Sequence, residues 1–175
     1  MRTGLYIGRF QPFHKGHLHA VRYCLSIVDQ LIIGIGSALE SHTAKNPFTA
    51  GERIEMISLA LEEAKISRDR YLLVPIPDVG YHQLWVPLVE LLVPSFEVVF
   101  SNEPLTRRLF KERGYHVEEI PFLRRELYSG EEFRRRVLSG ENWTEIVTES
   151  VAHFLKEKGL LQRIVELSKS DKVRL

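Results

Sequence analysis

Apolar residues along the chain fall into two alternating kinds of run. LYIG at 5–8, LIIGIG at 31–36, YLLVPI at 71–76 and FEVVFS at 96–101 are short, continuous and bounded by turn residues, the pattern of buried strands. HVEEI at 116–120 alternates instead and predicts a half-exposed edge strand. Between the runs the period lengthens. HLHAVRYCLSIV places Leu18, Val21, Cys24 or Leu25, and Val28 on one helical stripe, and ERIEMISLALEEA does the same with Ile54, Ile57, Leu61 and Ala64. WVPLVELL and LTRRLFKERG fill the next gaps, the second closing at Gly114 as a helix C-cap would. After the fifth strand, helix is expected over Ser129–Leu138 and again over Thr144–Lys158.

Strand and helix in alternation with short connections imply an α/β fold, a parallel sheet wound on both faces by right-handed crossovers. Such a sheet binds ligands beyond the carboxyl ends of its strands, where strand order reverses and helix N-termini present free N–H groups. No linker, repeat or low-complexity tract divides the sequence, so residues 1–168 are expected to form a single domain with a polar tail at 169–175.

Composition narrows the class of protein. Of 175 residues, 24 are Lys or Arg and 23 are Asp or Glu, so bulk attraction to nucleic acid is not expected and an anion site must be local. The single cysteine, Cys24, excludes an intramolecular disulfide and a multi-cysteine zinc site. No apolar run suits a signal peptide or a membrane span, which leads to the expectation of a soluble, cytoplasmic protein without a membrane partner.

Chemistry concentrates after the first strand, in GRFQPFHKGH. Gly8 and Gly16 permit close backbone approach, Pro12 stiffens the loop, and His14 and His17 flank the helix start. Zinc would need a third ligand that the local spacing does not supply, hence no metal site is assigned. Capping of the turn and binding of phosphate both remain open. Elsewhere TAGE at 49–52 reads as a capping box of Thr49 and Glu52, and Ser129 as the start of another with Glu132.

GRFQPFHKGH resembles the HxGH signature of the nucleotidyltransferase superfamily. Together with IIGIGSALESHTAKNPFTAGER, PIPDVGYHQLWV, LFKERGY and YSGEEFRRRVLSGENW, it is similar to the archaeal-type nicotinamide mononucleotide adenylyltransferases. The resemblance implies a Rossmann-like, doubly wound five-stranded sheet in the order 3-2-1-4-5 with C-terminal helices. It implies adenylyl transfer from ATP to nicotinamide mononucleotide, giving NAD and pyrophosphate, with Mg²⁺ on the ATP phosphates and a homo-oligomeric assembly.

By that resemblance His14, His17 and Arg134 act on the transferring phosphates, with protonated imidazoles favoured by neighbouring phosphate charge. Gly8, Arg9, Phe10, Gly16, Ser129 and Gly130 complete the ATP site. Ser37, Ser41, Lys45, Arg53, Asp78 and Trp85 would hold the acceptor, Trp85 by stacking on its base.

The chain departs from the family at Tyr81, His82 and Gln83, at Asn102 and Glu103 where SGNP is usual, and at Glu131 where threonine is usual. The first group motivates other acceptors: nicotinate mononucleotide, FMN or phosphopantetheine. The two glutamates motivate a nucleotide-binding sensor with weakened catalysis. Either Glu131 turns outward or helps hold Mg²⁺, or ATP affinity is reduced, and the first is the one expected.

Overall fold

The structure, a computed structural model, describes residues 1–169. Its strands are β1 (Thr3–Gly8), β2 (Gln30–Ile35), β3 (Tyr71–Pro75), β4 (Val98–Phe100) and β5 (His116–Glu118). Its helices are α1 (Lys15–Leu25), α2 (Ala50–Glu63), α3 (Trp85–Leu92), α4 (Pro104–Glu112), α5 (Gly130–Ser139), α6 (Glu149–Glu157) and α7 (Leu160–Ser168). The strands form one parallel sheet in the order β3-β2-β1-β4-β5, as expected. The chain builds outward from β1 through β2 to β3, then returns to lay β4 on the other side of β1. Strand order therefore reverses between β1 and β4.

Period-two alternation sorts strand residues to the two faces. Tyr6, Leu31, Ile33, Val98 and Phe100 pack against α1, α2 and the C-terminal helices through Val21, Cys24, Met56, Ile57, Leu61, Phe133 and Leu155. Leu5, Ile32 and Val99 face the opposite way, onto Val86 and Val89 of α3 and Phe110 of α4. Cys24 lies wholly in the first layer, where burial pushes its thiol pKa up and leaves it a packing residue.

Three expectations need correcting. β3 is an edge strand rather than a fully buried one, and Leu72 is 46% exposed because no strand pairs beyond it. The helix expected over Thr144–Lys158 is a short 3-10 turn at Thr144–Ile146 followed by α6, because Val147 and Thr148 are extended. α7 then starts after Gly159, whose φ of 67° favours glycine, and it carries Leu160 and Ile164 into the core. Of the polar tail expected at 169–175, Lys169 is the C-cap of α7, and 170–175 lie outside the described residues.

The helix starts are fixed locally. Thr49 Oγ1 accepts from Glu52 N at 3.1 Å while Glu52 Oε1 accepts from Thr49 N at 2.8 Å, completing the expected box. Glu52 also meets Arg163 of α7 at 2.6 and 2.9 Å, and Arg163 donates to Pro47 O at 3.1 Å. Ser129 accepts from Glu132 N at 3.0 Å, but only half of that box forms, since the Glu132 carboxylate turns to Arg135 and Arg136. Gly114, at φ 88°, follows α4 as the expected cap.

Candidate active site

Two grooves meet where strand order reverses. The larger, about 590 Å³, is lined by Gly8 and Arg9 after β1, Gly36 and Ser37 after β2, Asp78, His82 and Trp85 before and within α3, and Glu103, Leu105 and Leu109 of α4 and its cap. The smaller, about 270 Å³, runs from His14, Gly16 and His17 to Asn102, Ile120, Phe122 and Arg125. Ile7, Gly8, Ser101 and Glu103 line both. This is the position at which an open parallel sheet binds its ligands.

His14 is the N-cap of α1, and its Nδ1 accepts from Gly16 N at 3.1 Å and from His17 N at 3.3 Å. His17 reciprocates, its Nδ1 accepting from His14 N at 3.1 Å, so a capping box is built from two imidazoles. The rings stack with centroids 3.6 Å apart. Because each Nδ1 is an acceptor, each neutral ring carries its proton on Nε2, which has no hydrogen-bond partner among the described residues; both histidines line the smaller groove. Capping and donation are thus the two ends of one ring.

Burial pushes the His14 pKa down to about 3, and burial together with His14 holds that of His17 well below the ordinary value. Both are neutral in the free protein, and the imidazolium expected beside phosphate charge belongs to the ligand-bound site. Gly16 admits the stacked pair: a Cβ there would lie 2.9 Å from the His14 ring.

α5 approaches the same loop. Arg134 Nη1 donates to Gln11 O at 2.9 Å, and a Cβ on Gly130 would lie 2.8 Å from that nitrogen and 3.0 Å from Gln11 O. Desolvation lowers the Arg134 pKa, Glu131 offsets part of this, and the charge of Arg9 lowers it further. Arg9 and Arg134 are therefore mutually repelling cations beside one helix start, an arrangement that favours an anion. Glu131 is exposed and makes no side-chain hydrogen bond among the described residues, although its charge is felt by Arg134.

Two residues expected to touch ligands do not present their side chains. Phe10 is 1% exposed, with its ring packed edge-on to Tyr6 and His17 at 5.8 and 4.8 Å. Gly8 makes room for that ring, since a Cβ there would lie 2.7 Å from it. Arg53 is 0% exposed, and its donors all go to main-chain carbonyls, so it offers nothing to an acceptor in this arrangement.

Ser37, Asp78 and Trp85 come together in the larger groove, with Ser37 Oγ donating to Asp78 Oδ1 at 3.1 Å. Trp85 meets Phe110 edge-on at 5.6 Å, so the indole belongs to the core on one side and to the groove on the other. Ser41 pairs with His42 Nδ1 at 2.9 Å and Lys45 is exposed; neither lines the groove.

Sequence reasoning missed His82, Leu105, Thr106 and Leu109 as groove residues, along with Ile120, Phe122 and Arg125. Only the topology brings those segments together. Asn102 exchanges hydrogen bonds of 2.7 and 2.8 Å with the backbone of Ile120, tying the ends of β4 and β5. The cap of α4 is Glu103; its carboxylate accepts from Leu105 N at 3.1 Å and Thr106 N at 2.6 Å. Partial burial alone would raise its pKa, but bonds from Thr106 and Leu105 hold it below the ordinary carboxylate value.

Fold and site define a class: a doubly wound α/β protein with a phosphate-suited turn at its switch point, and residues 5–136 match the cytidylyltransferase-like family. A nicotinamide-nucleotide adenylyltransferase of Pyrococcus furiosus is 50% identical over 165 residues, 94% of this chain and 88% of that protein. One of the same description from Saccharolobus solfataricus is 45% identical over 172 residues, 98% of this chain and all of that one. The chain belongs to the nicotinamide-nucleotide adenylyltransferases, within the cytidylyltransferase-like family.

Among solved structures, a Francisella tularensis bifunctional NMN adenylyltransferase/ADP ribose pyrophosphatase, complexed with AMP and a manganese ion, is 26% identical with a TM-score of 0.78. That match covers 94% of this chain, and the chain spans 52% of that protein.

Proposed function

We propose that the chain transfers the adenylyl group of ATP to nicotinamide mononucleotide, forming NAD and pyrophosphate. The observation that carries this is the pair of grooves joined at Gly8 and Ser101, one edged by His14 and His17 and the other by Asp78 and Trp85. Two nucleotides laid in them would meet, phosphate to phosphate, at the junction.

A phosphate oxygen of the acceptor attacks the α-phosphorus of ATP, a new P–O bond forms, the α–β bridge breaks, and pyrophosphate leaves with that electron pair. The attacking oxygen is already ionised, so no side chain need take its proton. The work left to the protein is placement and stabilisation of charge. In this reading neutral His14 and His17 donate from Nε2 to phosphate oxygens, their tautomers fixed by the capping bonds. Arg9 and Arg134 supply positive charge, with Ser129 and Gly130 opening the helix beside them. Ser37, Asp78 and Trp85 hold the acceptor.

Among the described residues no group of three or more His, Cys, Asp or Glu could hold a metal. In this proposal Mg²⁺ is carried by the ATP phosphates and water, the usual habit of a small ion reluctant to dehydrate. Bound so, it would neutralise charge on the leaving pyrophosphate. No described helix is long and apolar enough to cross a membrane. The homo-oligomer implied by resemblance belongs to the proposal and is tested by light scattering on the purified chain.

The deciding experiment incubates purified protein with ATP, Mg²⁺ and, side by side, nicotinamide mononucleotide, nicotinate mononucleotide, FMN or phosphopantetheine. NAD and pyrophosphate in equal amounts from the first are expected. No pyrophosphate with nicotinamide mononucleotide refutes the reading, and a clear preference for another acceptor replaces it.

A further inference from the structure

Arg53 is a buried cation in an unusual setting. It lies in the first turn of α2, fully enclosed, behind the walls of the larger groove. Nε donates to Thr49 O at 3.2 Å; Nη1 to Arg9 O at 2.9 Å and Gly36 O at 2.8 Å; Nη2 to the carbonyls of Ser37, Ala38 and Glu40 at 3.2, 3.3 and 3.4 Å. No carboxylate is among these acceptors. The adjacent Glu52 is occupied by Thr49 and Arg163.

Apart from that of Thr49, at the start of Arg53's own helix, these carbonyls belong to two separate segments. Arg9 follows β1 and opens the loop to His14, whereas Gly36 to Glu40 follow β2 and carry Ser37 toward Asp78. A third link, Gly36 N to Gly8 O at 2.8 Å, joins the same two segments. A rigid, planar fork satisfies carbonyls on both sides at once, which a lysine ammonium on a flexible stem cannot reproduce.

We infer that Arg53 is a positioning residue for phosphate transfer: it fixes the wall bearing Arg9 against the wall bearing Ser37, and so sets where the two reacting phosphates meet. It does this without touching either substrate. The inference rests on the adenylyl-transfer reading, because only a reaction between groups on the two walls depends on their spacing.

The test compares Arg53→Lys and Arg53→Gln with the parental protein. Kinetic constants are normalised to the folded fraction measured by thermal melting. A misplacement of about 1 Å costs on the order of a hundredfold in rate. The expected result for Arg53→Lys is therefore a kcat lower by about a hundredfold, with KM for both substrates within about threefold. Arg53→Gln keeps only part of the fork and should fall at least as far. Folded Arg53→Lys with kcat within threefold of parental overturns the inference, as does a loss confined to KM.

Should neither variant fold, nitrogen-15 NMR of the parental protein decides. The Arg53 Nε–H should stay protected from exchange and unshifted when ATP or nicotinamide mononucleotide is added. A shift or loss of protection on adding either would mean direct contact or release, and would overturn it. A parental protein that makes neither NAD nor pyrophosphate refutes the adenylyl-transfer reading itself, a different failure from an active enzyme indifferent to Arg53.

Discussion

Replacing His14 separates the two uses of its ring. Nδ1 caps α1 through Gly16 N and His17 N, while Nε2 has no hydrogen-bond partner among the described residues and His14 lines the smaller groove. Asparagine is a strong N-cap and can keep the first role, but it is too short to supply the second. Alanine keeps neither. Loss of a cap costs ~1 kcal/mol, and loss of a buried ring stacked at 3.6 Å on His17 adds ~1–2 kcal/mol in either variant. His14→Ala should therefore lose ~2–3 kcal/mol of folding stability and His14→Asn ~1 kcal/mol less than that. The hydrogen bond that orients His17 comes from the backbone N–H of residue 14, which survives both substitutions.

Turnover should behave differently. Removing one preorganised donor from a developing charge costs about 10²–10³ in kcat, and both variants remove the same donor. Urea unfolding gives the stabilities, and pyrophosphate release at saturating ATP and nicotinamide mononucleotide gives kcat. Equal, large losses of kcat with unequal stabilities are expected. His14→Asn turning over within tenfold of the parental protein would show that the imidazole is a cap and nothing more.

Other expectations follow from the same geometry. With His14 near 3 when folded and ~6.5 when unfolded, the unfolded chain binds a proton the folded chain refuses, so the His14 contribution to stability is full above ~6.5 and declines by ~1.4 kcal/mol per pH unit below it, with His17 adding a decline of the same sign. His14→Asn should reduce that slope by the same amount between pH 6 and 4 in urea melts, and an unchanged slope would mean the ring is not kept neutral by burial. Gly130→Ala places a Cβ against Arg134 Nη1 and Gln11 O; KM for ATP should rise about tenfold, the worth of one charge-assisted hydrogen bond, and an unaltered KM would detach Arg134 from ATP. Glu131→Thr removes an exposed charge worth under ~1 kcal/mol, so KM for ATP should change less than about fivefold, whereas a gain beyond tenfold would place the carboxylate over the phosphates.

Much of the fold was legible because burial and period coincide in it. α3 spans Trp85–Leu92, the run expected from its apolar residues, and all five strand segments form, while the order in which they pair was implied by the family resemblance. Exposure of β3 was not legible, because an apolar run looks alike in the middle of a sheet and at its edge. The break before α6 was concealed by Ile146 and Val147, which continue the apolar pattern while the backbone leaves the helix.

Arg53 shows a different limit. It shares a stripe with Met56, Ile57, Ala60 and Leu61 at spacings of 3, 4, 7 and 8, all of them buried. That spacing was a readable sign of an inward arginine, but the family resemblance assigned its charge to the acceptor. His14 and His17 were found by motif and not by capping logic, since histidine is an uncommon N-cap. The groove residues around Phe122 and Leu109 carry no local signal, because their meeting is a property of chain crossing.

Arg134 reaches Gln11 across 123 positions of sequence, and Arg163 reaches Glu52 across 111. The helix-start boxes at residues 14 and 49 can close as soon as their own turns exist, yet what steadies the segments beside them is encoded near the opposite end of the chain. During synthesis the first two-thirds of the protein would leave the ribosome with the two-histidine turn already shaped but unbraced. Competence for its reaction would come last, as α5 and then α7 emerge and dock.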